Sequence, residues 1–378
     1  MKNLANKPLN IVIVSNSQVR NDIMSGGDRI LIECAKRWAE KGQSIDVITS
    51  EDGHKMFKRY GLDDVKYILI PSGSRKLSLY LSYILSMLNA CVLSLRIPYR
   101  KNLVVYSSSD FWPDSIPAWF LKMRFKRAKW IASFYLFAPN PLSKESPYNK
   151  KSSLRGLVYY LSQSPVYYLA KKYADMVWVT NELDRWRFID VKRLTPDRVV
   201  AVQGGVDTRT LILIPEPAEK RFDAVFIGRF HPQKGVLELV DIWRFVCARR
   251  KSAMLAVIGV GDLERELRKK ISDYGLENNV ALFGFKDGVE KLRIFKNSRV
   301  VVHPAIYDSG GMAACEAMAC GLPGVSFDLP ALKSYYPKGI LKTPCFDLRV
   351  FAENILKLFN NEVLYKKTSE DALVWAKE

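Results

Sequence analysis

The chain has 378 residues, 48% of them hydrophobic, enough for two domains with sizeable cores. Its six cysteines (Cys34, Cys91, Cys247, Cys315, Cys320 and Cys345) show no paired spacing, which excludes a disulfide framework or a zinc site and points to a reducing compartment. The net charge of +19 is uneven: residues 1–205 carry 32 Lys and Arg against 17 Asp and Glu, the remainder 26 against 22, so the first half points to an anionic partner (a membrane surface, a phosphorylated acceptor or nucleic acid) or to a generally basic surface.

Residues 9–15 read as a buried strand. The apolar run 11–14 follows Pro8 and is too short for a signal peptide, so none is expected. Ser25-Gly26-Gly27 opens a helix that reaches about Lys41 and stops at Gly42, and residues 45–49 are the second strand. This β-α-β start predicts a doubly wound parallel sheet, and Gly26-Gly27 at a helix start offers a phosphate contact, although no full Gly-x-Gly-x-x-Gly is present. Residues 77–95 form 19 uncharged positions, long enough to span a bilayer. Their four serines, one asparagine and soluble setting predict instead a buried or membrane-surface helix.

Residues 103–107 are the next strand. The loop 107–117 gathers Asp110, Trp112 and Asp114 at its C-terminal end, where such sheets bind ligands. Residues 121–130 (LKMRFKRAKW) interleave five basic residues with apolar ones, an amphipathic cationic surface if helical. A strand over 130–137 leads into the Pro-rich loop 138–147. Residues 154–173 carry five tyrosines with basic ends, which suits a membrane-interface belt or ordinary packing. Residues 176–180 are expected as the last strand of a first domain, 1–205, that ends at Gly204-Gly205-Val206-Asp207. A linker, 206–221, holds Pro215 and Pro217.

The pattern then restarts as a second doubly wound domain, 222–359. Strand 224–227 runs into Gly228-Arg229-Phe230-His231-Pro232-Gln233-Lys234-Gly235 and a helix to 250. Strand 253–258 runs into Gly259-Val260-Gly261-Asp262 and a helix over 263–274, and strand 280–283 into Gly284-Phe285. Residues 360–378 are expected as a helix crossing back to the first domain.

The stretch 300–323, VVVHPAIYDSGGMAACEAMACGLP, carries the densest signal: a β-branched strand, a small-residue loop, a helix rich in Ala, Met and Glu, then Gly321 and Pro323. A helix start has unpaired N–H groups and partial positive charge, and Gly310 and Gly311 admit an anion to it. Asp308 and Glu316 would repel a phosphate. A carboxylate only accepts hydrogen bonds, so the two suit sugar hydroxyls. An ordinary strand–helix crossover with surface acids would show the same pattern.

Gly228-Arg229-Phe230-x-Pro232-x-Lys234-Gly235, Gly259-x-Gly261-Asp262, Phe283-Gly284-Phe285 and an acidic-x7-Glu segment ending Glu316-Ala317-Met318-Ala319-x-Gly321-x-Pro323 resemble retaining glycosyltransferase family 4, the glycosyl transferases group 1. Gly26-Gly27 and Gly205-Val206-Asp207 fit it too. The resemblance covers nearly the whole chain and is most specific over 224–325. It implies the GT-B fold, two Rossmann-like domains facing each other across a cleft, with a nucleotide-diphosphate sugar held mainly by the second domain. The sugar donor is a substrate and no cofactor is expected; the basic excess of the first half, with segments 77–95 and 154–173, points to a glycan or lipid-linked acceptor at a membrane. The resemblance assigns Arg229 and Lys234 to the donor diphosphate, whose charge grows as the glycosidic bond breaks. Asp308 takes the donor sugar and Glu316 the ribose. Gly311 and Met312 offer N–H groups to the phosphate, Phe285 holds the base, and Gly27, Gly259 and Gly310 border the donor.

Three departures stand out. Asp308 is one methylene shorter than the family's usual Glu, Gly310 replaces a common aromatic, and residues 134–138 lack the histidine that many members place near the reacting carbon. Asp110 and Asp114 are the candidates for the acceptor side. His231 and His303, in donor-domain loops, read as structural. No Asp-x-Asp pair exists, so no metal is expected; no nucleic-acid motif exists, so no nucleic-acid partner is expected. The expected place is cytoplasmic, peripheral at an anionic membrane face. The alternative is a catalytically silent nucleotide-binding scaffold at a membrane.

Overall fold

The computed structural model describes residues 8–16, 24–71, 79–141, 143, 146–147, 153–190, 193–212 and 214–378. The start of the apolar stretch 77–95 and part of the loop 138–147 lie outside them.

The first unit ends at Gly204. Its elements are β1 (Asn10–Ser15), α1 (Gly26–Glu40), β2 (Ser44–Thr49), α2 (Glu51–Arg59), β3 (Lys66–Leu69), α3 (Leu79–Ser94), β4 (Leu103–Ser107), α4 (Trp112–Arg124), β5 (Lys129–Ser133), α5 (Ser153–Tyr173), β6 (Met176–Val179), α6 (Glu182–Phe188) and β7 (Val199–Ala201). The strands pair in parallel in the order β3-β2-β1-β4-β5-β6-β7. The second unit holds α7 (Arg209–Ile212), β8 (Phe222–Ile227), α8 (Val236–Arg249), β9 (Leu255–Ile258), α9 (Glu264–Asp273), β10 (Val280–Leu282), α10 (Gly288–Lys296), β11 (Ser298–His303), α11 (Met312–Ala319), β12 (Gly324–Phe327), β13 (Ile340–Thr343), α12 (Leu348–Asn360) and α13 (Glu362–Lys377). Its parallel order is β10-β9-β8-β11-β12-β13. Both are Rossmann-like doubly wound sheets, the pair that makes up a GT-B fold.

Successive strand side chains point to opposite faces, so a strand covered on both sides must be apolar throughout. Val12 and Val14 enter one core with Val105, Trp130 and Val177. Ile11 and Ile13 enter the opposite one with Leu31, Val47 and Phe57. In the second unit Ala224 and Phe226 face Trp243 and Leu239, and Val225 faces Phe295 and Met318.

Several expectations change. The last strand of the first unit is β7, not 176–180: α6, capped by the Asn181 side chain, leads on to a further short strand beside β6. Residues 121–130 are not one cationic helix. α4 stops at Arg124, and a turn carries Lys126 and Arg127 into β5. The proposed linker is packed, because Leu211 and Ile214 join the second unit's core and Lys296 pairs with Glu216. The C-terminal helix packs on its own unit. In α13, Ser369 Oγ donates to Gly321 O (2.6 Å) and Trp375 Nε1 to Tyr335 O (2.7 Å), and a Cβ on Gly339 would meet Ala372 at 2.5 Å.

The helix predicted from 77–95 is α3, and Leu81, Leu88 and Val92 on it are exposed. Among the described residues no helix is long and apolar enough to cross a membrane.

Candidate functional site

In a doubly wound sheet the strand order reverses at one point, and the two loops leaving there diverge and open a crevice at the strands' C-terminal ends. In the second unit that point lies between the paired strands β8 and β11. The loop after β8 carries Gly228 to Gly235; the loop after β11 carries Pro304 to Gly311. They interlock: Ile306 N donates to Gln233 O (3.0 Å), and a Cβ on Gly235, whose φ is 64°, would lie 1.9 Å from Pro304 O. Only glycine permits that left-handed start to α8.

This interlock brings Lys234 to Asp308. Lys234 Nζ donates to Asp308 Oδ2 at 2.5 Å, and His303 Nε2, at the end of β11, lies 3.3 Å from the same oxygen. Asp308 Oδ1 accepts from Ser309 N at 3.0 Å. Burial alone would raise the Asp308 carboxyl, but Lys234 and His303 outweigh it and hold the carboxyl well below the usual range. Burial lowers His303 against the pull of Asp308. The shorter acid thus folds back on its own loop and on Lys234. Arg229 is exposed at the start of the β8 loop. His231 caps the 3₁₀ turn Pro232–Lys234 that presents Lys234; burial first, then the Arg229 and Lys234 charges, lowers its pKa to about 4.

The helix start beyond Asp308 is built for close approach. α11 begins at Met312, with Gly311 as its cap. Tyr336 Oη donates to Gly311 O at 2.5 Å, and a Cβ at Gly311 would fall 1.5 Å from that hydroxyl. A Cβ on Gly310 would come within 2.9 Å of Tyr335 Oη, so an aromatic ring from a different segment fills the space beside this glycine. One turn into α11, Glu316 is buried and paired with Lys291 of α10 at 2.9 Å. Gly259, after β9, fits against the β8 loop, where a Cβ would meet Gly228 O at 1.9 Å. Phe285, after β10, exposes its ring. The second unit therefore assembles Lys234, Asp308, Gly310, Gly311, Met312 and Glu316 along two adjacent loops and the first turns of α11.

Residues 209–375 match the family model of glycosyl transferases group 1. Residues 209–375 are a group 1 glycosyltransferase domain. An uncharacterized glycosyltransferase of Methanocaldococcus jannaschii is 34% identical over 101 residues, covering 27% of this chain and 26% of that protein. The phosphatidyl-myo-inositol mannosyltransferase of Mycobacterium leprae is 29% identical over 175 residues, covering 44% and 46%. The chain spans 26% and 56% of the lengths of two Methanocaldococcus relatives. The fold is that of S. aureus TarM, a mutant of which, in complex with Fondaparinux, alpha-GlcNAc-glycerol and UDP, is 14% identical and aligns over 98% of this chain and 96% of its own with a TM-score of 0.73.

Outside the glycosyltransferase domain the residues expected at the site fare differently. Gly27 lies at the start of α1, and a Cβ there would meet the Tyr135 ring at 2.7 Å. Tyr135 occupies the stretch 134–138 that lacks a histidine, and its hydroxyl pairs with that of Tyr106 at 2.7 Å. Asp110 is buried and accepts from Gln163 Nε2 at 2.8 Å; burial, opposed by that bond, raises it to about 6. Asp114, expected on the acceptor side, is a brace. It is fully buried, taking Asn16 N at 2.5 Å on one oxygen and the Ser108 and Ser109 hydroxyls at 3.0 and 2.5 Å on the other.

Sequence reasoning missed Lys291 and the Tyr335–Tyr336 pair. It placed His303 in a loop, whereas His303 ends β11, beside Asp308. Lys291 sits in a charged helical stretch like any solvated lysine, and nothing local announces its burial. Among the described residues no group of three or more His, Cys, Asp and Glu side chains is arranged to hold a metal ion.

Proposed function

We propose that the chain is a retaining glycosyltransferase of family 4. It moves a sugar from a nucleotide-diphosphate sugar to a glycan acceptor, lipid-linked or membrane-bound, without metal or other cofactor. The observation that carries this reading is the Lys234–Asp308 pair beside the start of α11, with Glu316 one turn further on. As the glycosidic bond breaks, charge gathers on the departing diphosphate. Lys234, Arg229 and the N–H groups of Gly311 and Met312 offset it without a divalent ion. Glu316 accepts from the ribose hydroxyls, Asp308 faces the donor sugar, Phe285 stacks on the base, and Gly27 and Gly259 let the donor approach. Asp110 is the acceptor-side candidate. Structures of the same fold that hold UDP, and UDP with glucose, support a nucleoside-diphosphate donor.

The acceptor side is read as a peripheral site at the cytoplasmic face of an anionic membrane. Between residues 79 and 174 there are 14 Lys and Arg against three Asp and Glu, of which Asp110 and Asp114 are buried. Leu81, Leu88 and Val92 of α3 and Leu154, Leu157, Leu161 and Tyr168 of α5 leave apolar surface exposed.

A thermal-shift panel of nucleotide sugars, followed by transfer with the donor that stabilises most, tests the reading. The expected product keeps the donor's anomeric configuration, seen by NMR, and forms equally with a chelator present. An inverted product, or activity that a chelator abolishes and magnesium restores, overturns it. Binding without transfer would leave the silent scaffold.

A further inference from the structure

We propose that Lys291 is a positioning residue that sets the carboxylate of Glu316 and thereby the enzyme's preference for ribose over deoxyribose in the donor nucleotide. This rests on the reading of Glu316 as the ribose-binding acid. The Lys291 side chain is only 7% exposed and that of Glu316 8%. Its Nζ lies 2.8 Å from Asp287 Oδ1 and 2.9 Å from Glu316 Oε2. A lysine is almost never this buried without charged partners.

The two contacts do different things. Asp287 is four residues back on the same helical stretch, so that bond fixes the lysine's own rotamer. Glu316 belongs to α11, beyond β11, so the second bond ties a long side chain with three torsions to a different element. An acid that must receive hydroxyls binds them better if its rotamer is already set, because ordering it on binding costs affinity. The ammonium donates three bonds and accepts none. It therefore orients a carboxylate without competing with it for ribose hydroxyls. Two carboxylates share this one ammonium, so the cluster stays acidic and suits hydroxyl donors rather than the diphosphate. A site built to bond a hydroxyl rejects the analogue lacking it, because the buried acceptor is left unpaired.

The measurement is calorimetric binding of UDP, GDP and ADP and of their 2′-deoxy counterparts, with pyrophosphate as a probe that has no ribose. Wild type is expected to favour the ribose form of its preferred nucleotide by about tenfold or more. Lys291→Met should bring that ratio to within about twofold while pyrophosphate binding is unchanged. Removing the ammonium takes a partner from the buried Glu316 carboxylate and from the partly exposed Asp287, so this variant risks misfolding. Lys291→Met combined with Glu316→Gln removes the uncompensated acid at the ribose site. If Lys291 acts through Glu316, its ratio equals that of Glu316→Gln alone. A wild-type ratio in Lys291→Met, or a loss in the double variant beyond that of Glu316→Gln, overturns the proposal while leaving the donor reading intact. A wild type that binds none of these nucleotides removes the donor reading, and the role of Lys291 with it.

Discussion

Asp114 and Asp308 occupy matching places in the two units. Each follows the strand that pairs with its sheet's first strand at the reversal of strand order, β4 beside β1 and β11 beside β8. Asp114 is buried and the Asp308 side chain nearly so, yet their partners differ. Asp114 takes a backbone N–H and two serine hydroxyls, all neutral, and knits the β1 and β4 loops together. Asp308 takes a lysine, with a histidine beside it and a glycine-rich helix start next in the chain. The same topology thus yields a closed polar knot in one unit and a charged pair in the other. A buried polar knot serves stability, since both Asp114 oxygens and the Asn16 N–H are satisfied. A largely buried ion pair is weak evidence for stability, and its retention beside an anion-ready helix end is better explained by function.

The largest test of this contrast is at Lys234. Lys234→Ala should cut turnover by on the order of a hundredfold or more, as loss of one transition-state charge contact does. It also strands Asp308, so the fold is expected to suffer. Lys234→Met with Asp308→Asn removes both charges; melting temperature should recover and turnover should not. A steady-state assay on both variants decides, and turnover near wild type in either would sink the assignment.

Asp114→Ala should behave in the opposite way. It orphans the Asn16 N–H, which cannot turn away, and two hydroxyls that can rotate. A loss of about 2–3 kcal/mol in unfolding free energy is expected, from about 1–3 kcal/mol for a buried unsatisfied donor. Denaturant titration measures it. Asp114→Asn, which keeps acceptor capacity, should recover part of the loss. A variant as stable as wild type but without transfer activity would return Asp114 to the acceptor site and end the contrast.

Much of this was legible before any coordinates. The repeated β-branched strands, each followed by a glycine loop and a helix, specify two parallel sheets, and Arg229, Lys234, Asp308 and Glu316 stand in recognisable spacing. What stayed hidden depends on contacts distant in sequence. Lys291 is held by Glu316 across a strand, and Tyr336 reaches Gly311 from the segment before β13. No periodicity encodes such a meeting. The tail is such a case: an amphipathic helix shows that it has a face to bury, not that Gly321, Tyr335 and Gly339 will meet it. The basic segment 121–130 misled for a similar reason: alternating charge and apolarity over ten residues fits a helix, but Phe125 to Ala128 turn the chain into β5.

That last correction gives the smallest and most discriminating test, because it divides a run of cations that look equivalent. Lys122 Nζ is bonded to Asp175 Oδ2 and Ala128 O, both at 2.7 Å, and Arg124 Nη1 donates to Ser94 O at 2.8 Å. These two tie α4 to its neighbours. Lys126 and Arg127 sit exposed in the turn. A basic residue near an anionic surface contributes about 1 kcal/mol, so Lys126→Gln with Arg127→Gln should weaken co-sedimentation with anionic vesicles by roughly thirtyfold, leaving melting unchanged. Lys122→Gln should lower the melting temperature and leave vesicle binding nearly intact. Binding should fade at 1 M salt, where the Debye length is about 3 Å, unless the exposed leucines of α3 and α5 carry most of it. If instead Lys122→Gln weakens binding as much per charge as the exposed pair does, the surface acts as a diffuse charge. If the wild type ignores anionic vesicles at low salt, the acceptor is a soluble glycan and the basic half of the chain has another partner.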